Sequence, residues 1–386
     1  MFANTFNFKK NLKSDEIFIY LLFISAFLPF YITIAVIFAS TFFLFALRKI
    51  SVKDFSAFPF LLFPLFTIYT VIVAIINKNY IGIICSIAFL CLICIAKFAV
   101  CLTDEKILEK SMLICTLCGV ITAIITFGDF AYFRLVSGKT EKYRATLYFF
   151  NCNYLATIFA IVIIICAYKF LNGNGNKFFY LFSAIICVAA MYLTGSMFVW
   201  IDVFFGIAAL LLLSRRHQLV GVLLLALGTV CIVLYCVPEF IPRFSDFDDT
   251  IDNRLLIWNV TSKAIKQNPL FGGGFLTYYN IYKNFSGSYP TTHSHNIILE
   301  PILSFGIIGT AILLVALILY FRRVIICRNA QNKLKYSSLI LALLCALVAH
   351  STTDLTFMWV QTGLLYCLLM GFIGPEEKLL CISDNK

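Results

Sequence analysis

The sequence predicts an all-α, polytopic transmembrane protein of about twelve spans, with one large loop outside the membrane. Three observations predict it. Of the 386 residues 61% are hydrophobic, the mean hydropathy is +0.94, and only 13% are charged, where a soluble domain carries about a quarter charged residues. The charges cluster in short segments between apolar runs, and the runs recur at the length of about 20 residues that a helix needs to cross a bilayer. Finally, Lys and Arg concentrate on alternate connecting segments, the mark of cytoplasmic loops.

The apolar runs place spans at 17–29, 30–47, 56–76, 80–101, 107–127, 148–168, 178–195, 197–213, 219–237, 296–321, 336–350 and 355–373. The first two come from one run, Ile17 to Leu47, which is long for one helix and short for two. Pro29 lies in its middle, where it breaks or kinks a helix. Splitting the run there puts Arg48, Lys49 and Lys53 on the cytoplasmic side and lets the following loops alternate. The segments 1–16, 48–54, 102–110, 169–177, 214–218, 322–335 and 374–386 then hold 19 of the 30 Lys and Arg, so both termini are expected in the cytoplasm. The start carries Lys9, Lys10 and Lys13 with no small-residue cleavage site after them, which predicts a retained signal anchor. The chain divides into residues 1–237 with about nine spans, the loop 238–295, residues 296–373 with about three spans, and the tail 374–386.

The net charge of +11 does not imply nucleic acid, because the basic residues sit at the ends of apolar runs. The fifteen cysteines lie mostly inside those runs, where they act as small hydrophobes. Cys91-x-x-Cys94 and Cys115-x-x-Cys118 lack neighbouring His or acidic ligands, and the outer loops hold no cysteine pair. In the loop, DFDDTID groups Asp246, Asp248, Asp249 and Asp252 but lacks the glycine turn and final glutamate of a calcium site. No metal and no cofactor are expected.

Residues 254–267 read as an amphipathic helix with Leu256, Ile257, Val260 and Ala264 as its apolar stripe, and Lys263, Lys266 and Gln267 away from it. Asp252 can cap its start and Asn268-Pro269 stops it. Gly272, Gly273 and Gly274 then make a flexible turn. Of four histidines, His217 sits in the basic turn after Arg215 and Arg216, while His293, His295 and His350 fall on the outward side. His295 stands where the loop enters the tenth span. From position alone, a proton acceptor near neutral pH and a helix-capping histidine are both open. Asp202 and Glu300 lie in or near spans, where a carboxylate marks a cavity or a pair. On one continuous helix Glu300 and His295 would face different ways. Lys97, near the cytoplasmic end of its span, is expected to snorkel.

His295-Asn296, nine residues, then Gly306-x-x-Gly309 resembles the signature of the O-antigen ligase and polymerase superfamily of bacterial envelope glycosyltransferases. The resemblance covers about residues 140–370. It implies a GT-C-like fold of ten to twelve spans in the bacterial inner membrane, with a large periplasmic loop just before the histidine. Arg254-Leu255 through Trp258, then Pro269 and Gly272-x-Gly274, is similar to the family's loop helix, whose arginine is implicated in activity. Arg243 in IPRFSD, Arg144 with Asn153, and Asp354 in HSTTDLTFMW resemble further recurrent positions. The resemblance thus assigns His295 and Arg254 to catalysis, and Arg144, Arg243, Asn153 and Asp354 to the diphosphate or glycan. It gives Asn296, Gly306, Gly309, Trp258, Pro269, Gly272 and Gly274 to the motif's framework. One departure stands out: family members commonly carry an arginine after Thr-Gly-Ser, and here Thr194-Gly195-Ser196 is followed by Met197.

The implied reaction moves a glycan from undecaprenyl diphosphate onto a sugar hydroxyl, with inversion and without metal, in lipopolysaccharide or surface polysaccharide biosynthesis. A ligase would hand the polymer to lipid A-core. A polymerase would hand it to another lipid-linked repeat. The histidine signature and Asp354 lean to the ligase, and Met197 leans away. A transporter or flippase would show paired half-repeats and broken helices near mid-membrane, and the sequence shows neither.

Overall fold

A computed structural model describes residues 12–56, 58–102, 104–136, 143–172, 175–237, 247–329 and 336–376. Among these the chain is helical, with no strand. Helices α1 (Leu12–Ser25), α2 (Phe30–Ala46), α3 (Leu62–Ile76), α4 (Tyr80–Leu102), α5 (Glu105–Leu135), α6 (Cys152–Asn172), α7 (Lys177–Leu193), α8 (Val199–Leu213) and α9 (His217–Cys236) follow the first nine apolar runs. The loop contributes α10 (Phe247–Gln267) and the short α11 (Thr277–Ile281), and α12 (Leu299–Asn329), α13 (Tyr336–His350) and α14 (Val360–Met370) follow it. By length and composition α4, α5, α6, α9 and α12 can each cross a membrane, and α2, α3, α7, α8 and α13 are apolar but shorter. This is the make-up of a polytopic membrane protein.

The helix ends differ from the apolar runs where polar residues decide. The run Ile17–Leu47 is indeed broken at Pro29, which precedes the first residue of α2 with φ −50°, a position that suits a proline. The start of α3 moves from 56 to 62, because Ser51 and Asp54 cap each other around the short turn Val52–Phe55. α5 and α12 continue to Leu135 and Asn329, past the ends of their apolar stretches. α6 lies at the centre. Nearly every side chain from Tyr154 to Tyr168 is buried, as expected of a helix that is apolar all round. Small residues let its neighbours close in: a Cβ on Gly119 would lie 2.8 Å from Val162, and one on Gly206 2.4 Å from Ile164. α9 is the opposite case, with no buried residue along its length. Lys97 does not reach outward. It is buried with its ammonium 3.6 Å from the centre of the Phe60 ring.

The loop helix exists, with two corrections. α10 begins at Phe247, so Asp252 lies inside it and does not cap it. Its buried face is Arg254, Ile257, Val260, Thr261 and Ala264, and Leu256 is 42% exposed. The inward stripe includes an arginine, which a purely apolar reading leaves out.

The glycines after α10 are a joint, not a flexible turn. α12 is broken at Gly306 (φ 62°, ψ −176°), a conformation open essentially to glycine alone. The chain after α10 fits into that break. Ile307 and Ile308 donate to the carbonyls of Pro269 and Leu270, at 2.9 and 3.2 Å, while Gly273 and Gly274 donate to Leu303 and Ser304, at 3.2 and 2.7 Å. The backbones approach so closely that a Cβ on Gly306 would stand 2.2 Å from the Leu270 oxygen, and one on Gly272 2.5 Å from the Gly306 nitrogen. α3 and the turn before α4 clamp the joint. The Tyr69 hydroxyl lies 3.0 and 2.8 Å from the carbonyls of Phe271 and Phe305, and the Asn79 amide donates to those of Gly273 and Phe275. Gly309 leaves room for the Tyr69 ring, which a Cβ there would meet at 2.4 Å.

Gly306→Ala combines a forbidden backbone conformation with a clash, and is expected to destabilise the protein by about 3 kcal/mol or more. Gly228→Ala, in open space on α9, should be neutral or stabilising by up to about 1 kcal/mol. Thermal unfolding in detergent, with limited proteolysis of the 268–298 segment, checks both.

Candidate active site

One buried carboxylate gathers the site. Asp354 follows α13 in a turn held by its own backbone N–H on the His350 carbonyl at 3.0 Å, and it is 2% exposed. Its Oδ1 lies 2.8 Å from His295 Nδ1 and 3.2 Å from His293 Nε2, and accepts from the Leu355 N–H at 2.8 Å. Its Oδ2 accepts from the Asn153 amide at 2.6 Å. With the carboxylate as acceptor, both imidazoles carry their proton on the nitrogen facing Asp354. Their other nitrogens face hydroxyls: His295 Nε2 lies 2.9 Å from Thr291 and His293 Nδ1 2.8 Å from Thr292.

The backbone around Ser294 presents the two rings together. The Ser294 carbonyl accepts from Trp258 Nε1 at 3.1 Å, and its N–H donates to Glu300 Oε2 at 2.7 Å. His295 takes φ 53°, and the rings of His293 and His295 lie 4.2 Å apart, centre to centre. Asn296 then starts α12 by accepting from the N–H groups of Ile298 and Leu299 at 2.9 and 3.1 Å. Glu300 therefore does not pair with His295. The reason is that α12 begins only at Leu299 and the carboxylate turns back to Ser294 and Ser304.

Burial, the largest influence on His295, pulls its ring below the ordinary histidine value, with the charges of His293 and Arg254 acting the same way. Asp354 opposes them by charge and hydrogen bond. At Asp354 itself burial works to raise the carboxyl, but His295 and His293 outweigh it and hold it well below the usual carboxylate range. His295 is thus a neutral, oriented base with a carboxylate behind it, the arrangement by which a general base takes a proton from a hydroxyl.

A cavity of about 120 Å³ adjoins this cluster. Arg144, Arg254, Asn153, Met197, His350 and Asp354 contribute to its wall, and His295 does not. Arg254 is 9% exposed, donates through Nη1 to the Thr353 carbonyl, and rests 5.1 Å from the centre of the Phe198 ring. Arg144 Nε lies 3.4 Å from the Thr194 carbonyl, beside the turn that leads to Met197. The structure thus brings together Arg144, Asn153, Arg254, His295 and Asp354. Trp258 and Asn296 hold the segment that carries His293 and His295, while Pro269, Gly272, Gly274, Gly306 and Gly309 lie in the joint between α10 and α12. Arg243 lies outside the described residues.

His293, His295 and Asp354 offer one ligand atom each within 4.8 Å, a grouping that could hold a metal ion. Sequence spacing does not reveal it, because Asp354 comes from another helix pair. The two distances differ in what they fit: His293 Nε2, 3.2 Å from the shared oxygen, suits either a hydrogen bond or a common ion, and His295 Nδ1 suits a hydrogen bond. Two ligands on a tetrahedral ion at about 2.0–2.1 Å stand about 3.3 Å apart, and His295 Nδ1 is 2.8 Å from the shared oxygen.

Residues 182–314 match the O-antigen ligase family. The superfamily expected from His295-Asn296 and the two glycines is thereby shown over that stretch. No curated protein matches the chain. The O-antigen ligase match runs from within α7 into α12, so it contains Arg254, His293, His295 and Gly306. Arg144, Asn153, His350 and Asp354 lie outside it and join the site only through folding. Sequence reasoning missed the role of His293 and the pairing of Asp202 with His350. The available signals were that three of the four histidines fall on the outward side and that Asp202 lies inside an apolar run.

With ring nitrogens labelled, His295 is expected to titrate below 6.5 by NMR. Asp354→Asn removes the group that supports the charged ring, so the midpoint should fall further. Because the folded value lies below the unfolded one, the contribution of His295 to stability is complete above about 6.5 and is lost as pH falls through the folded value.

Proposed function

We propose that the protein is a membrane glycosyltransferase that moves a glycan from a lipid diphosphate, undecaprenyl diphosphate, onto a sugar hydroxyl, and that it acts as an O-antigen ligase. The observation that carries this is the pairing of an oriented neutral histidine with an arginine-lined cavity across one carboxylate. The O-antigen ligase match over residues 182–314 supports it.

In this reading the diphosphate of the donor lies in the cavity with Arg144 and Arg254. The acceptor hydroxyl approaches His295 Nε2 from the side of Thr291. The hydroxyl oxygen attacks the anomeric carbon from the face opposite the diphosphate, and its proton passes to His295. The bond from that carbon to the diphosphate oxygen breaks, and the electron pair leaves with the diphosphate. The arginines stabilise the charge that builds there. Attack from the opposite face inverts the anomeric centre. Lipid diphosphate is a good leaving group, so no protein acid is required to expel it. Arg144, held against Thr194 beside Met197, takes the place of the arginine that family members commonly carry there.

We place the site on the outer, periplasmic face of the inner membrane, at the outer end of twelve spans with both termini in the cytoplasm. Loop charge supports this orientation. A second reading, a polymerase extending the lipid-linked repeat, is favoured by the single departure at Met197.

Replacing His295 with Ala in the native host decides between them. Polymer stranded on undecaprenyl diphosphate means ligase, and surface glycolipid capped with a single repeat means polymerase. Unchanged envelope glycans would sink the assignment. Transfer in purified membranes is expected to persist with a chelator present. A loss that added metal restores would give His293, His295 and Asp354 to an ion.

A further inference from the structure

The described residues hold a second buried histidine–carboxylate pair that the transfer step above leaves unused. His350 ends α13 and Asp202 stands in the first turn of α8. Nδ1 of His350 lies 2.8 Å from Asp202 Oδ2, and both residues are almost completely buried. Two observations separate this pair from an ordinary core contact. His350 Nε2 is buried with no partner among the described residues, and so is Arg254 Nε. Both residues line the cavity that Arg144 also lines. Buried polar atoms in native proteins are normally paired, so two orphans on residues that line one cavity point to a ligand there.

The chemistry of that ligand follows from the atoms left over. Arg254 Nε can only donate. Asp202 accepts from Nδ1 of His350, which leaves Nε2 as the ring's remaining hydrogen-bonding atom. Asp354, the carboxylate on the cavity wall, is already occupied: Oδ1 by two histidines and a backbone N–H, Oδ2 by Asn153. An oxyanion can accept from Arg254 Nε and, with a proton on each ring nitrogen, from His350 Nε2 as well. Asp202 then balances the imidazolium, as the carboxylate of a catalytic triad does.

We propose that His350, oriented by Asp202, is an oxyanion-binding residue of this cavity, taking a phosphate oxygen beside Arg254. The assignment rests on the transfer reading above and names a further contact to its diphosphate. It also accounts for the apolar Met197 in the same wall, since the charge complement then comes from Arg144, Arg254 and His350 together.

The test uses the full-length protein in detergent with ¹⁵N-labelled histidine, and inorganic diphosphate as the probe. The chain has four histidines, so four Nε2 signals are expected. His350→Gln assigns the relevant one directly, and variants of the other three assign it by elimination. A saturable move of the His350 Nε2 signal into the protonated range is expected, and His350→Gln and Asp202→Asn should each weaken diphosphate binding about tenfold. The wild-type signal requires no variant, so a poorly folded substitution does not blunt the measurement. Diphosphate bound at saturation with the His350 signal unmoved, or bound with unchanged affinity by folded His350→Gln, overturns the proposal alone. If millimolar diphosphate does not bind the wild type, the cavity's phosphate role falls with it, while the glycans of the His295→Ala strain still judge transfer separately.

Discussion

The site depends on the shielding of one charge. An ionised carboxylate taken out of water costs several kcal/mol unless donors replace the water. Asp354 finds those donors in separate parts of the chain: Asn153 at the start of α6, and His293 and His295 at the end of the loop. None of these contacts is local. The carboxylate is satisfied only when α6, the turn after α13 and the loop have all docked, so assembling the site and completing the fold are one event. The same contacts set the tautomer of His295, because a ring that gives its Nδ1 proton to Asp354 presents a lone pair at Nε2.

Asp354 also divides the space around it. Its His295 side meets Thr291, and its other side joins the cavity walled by Arg144 and Arg254. An imidazole held by hydrogen bond and a cavity walled by two arginines therefore meet at a single residue. The arginine in α10 reaches this position because it lies on the helix's inward face, one turn before Ile257. Its charge is tolerated there by the Thr353 carbonyl, the Phe198 ring and the nearby Asp354.

Local pattern carried much of the fold. Twelve apolar runs became twelve helices among the described residues, and Pro29 separated the first two. The glycine spacing was legible too, although its physical meaning was not. Gly272 and Gly306 are far apart in sequence, and only the folded chain shows that each is small for the sake of the other's backbone. Periodicity misjudged α10, counting Leu256 inward and leaving out Arg254, because it weighs side chains by hydropathy alone. The pairing of Asp202 with His350 spans 148 positions and two helices. A single sequence records such a contact only as two costly residues inside apolar runs, with nothing to say that they meet.

The break in α12 has a consequence for how substrate can arrive. Four backbone hydrogen bonds tie residues 269–274 into the gap at Gly306, and at about 0.5–1.5 kcal/mol net for each an opening there costs roughly 2–6 kcal/mol. It would also strip the interrupted helix of partners for its bare carbonyls and amides. This stretch of the loop is therefore a splint, not a lid. A ligand of the cavity walled by Arg144 and Arg254 therefore has to enter by some opening other than this joint.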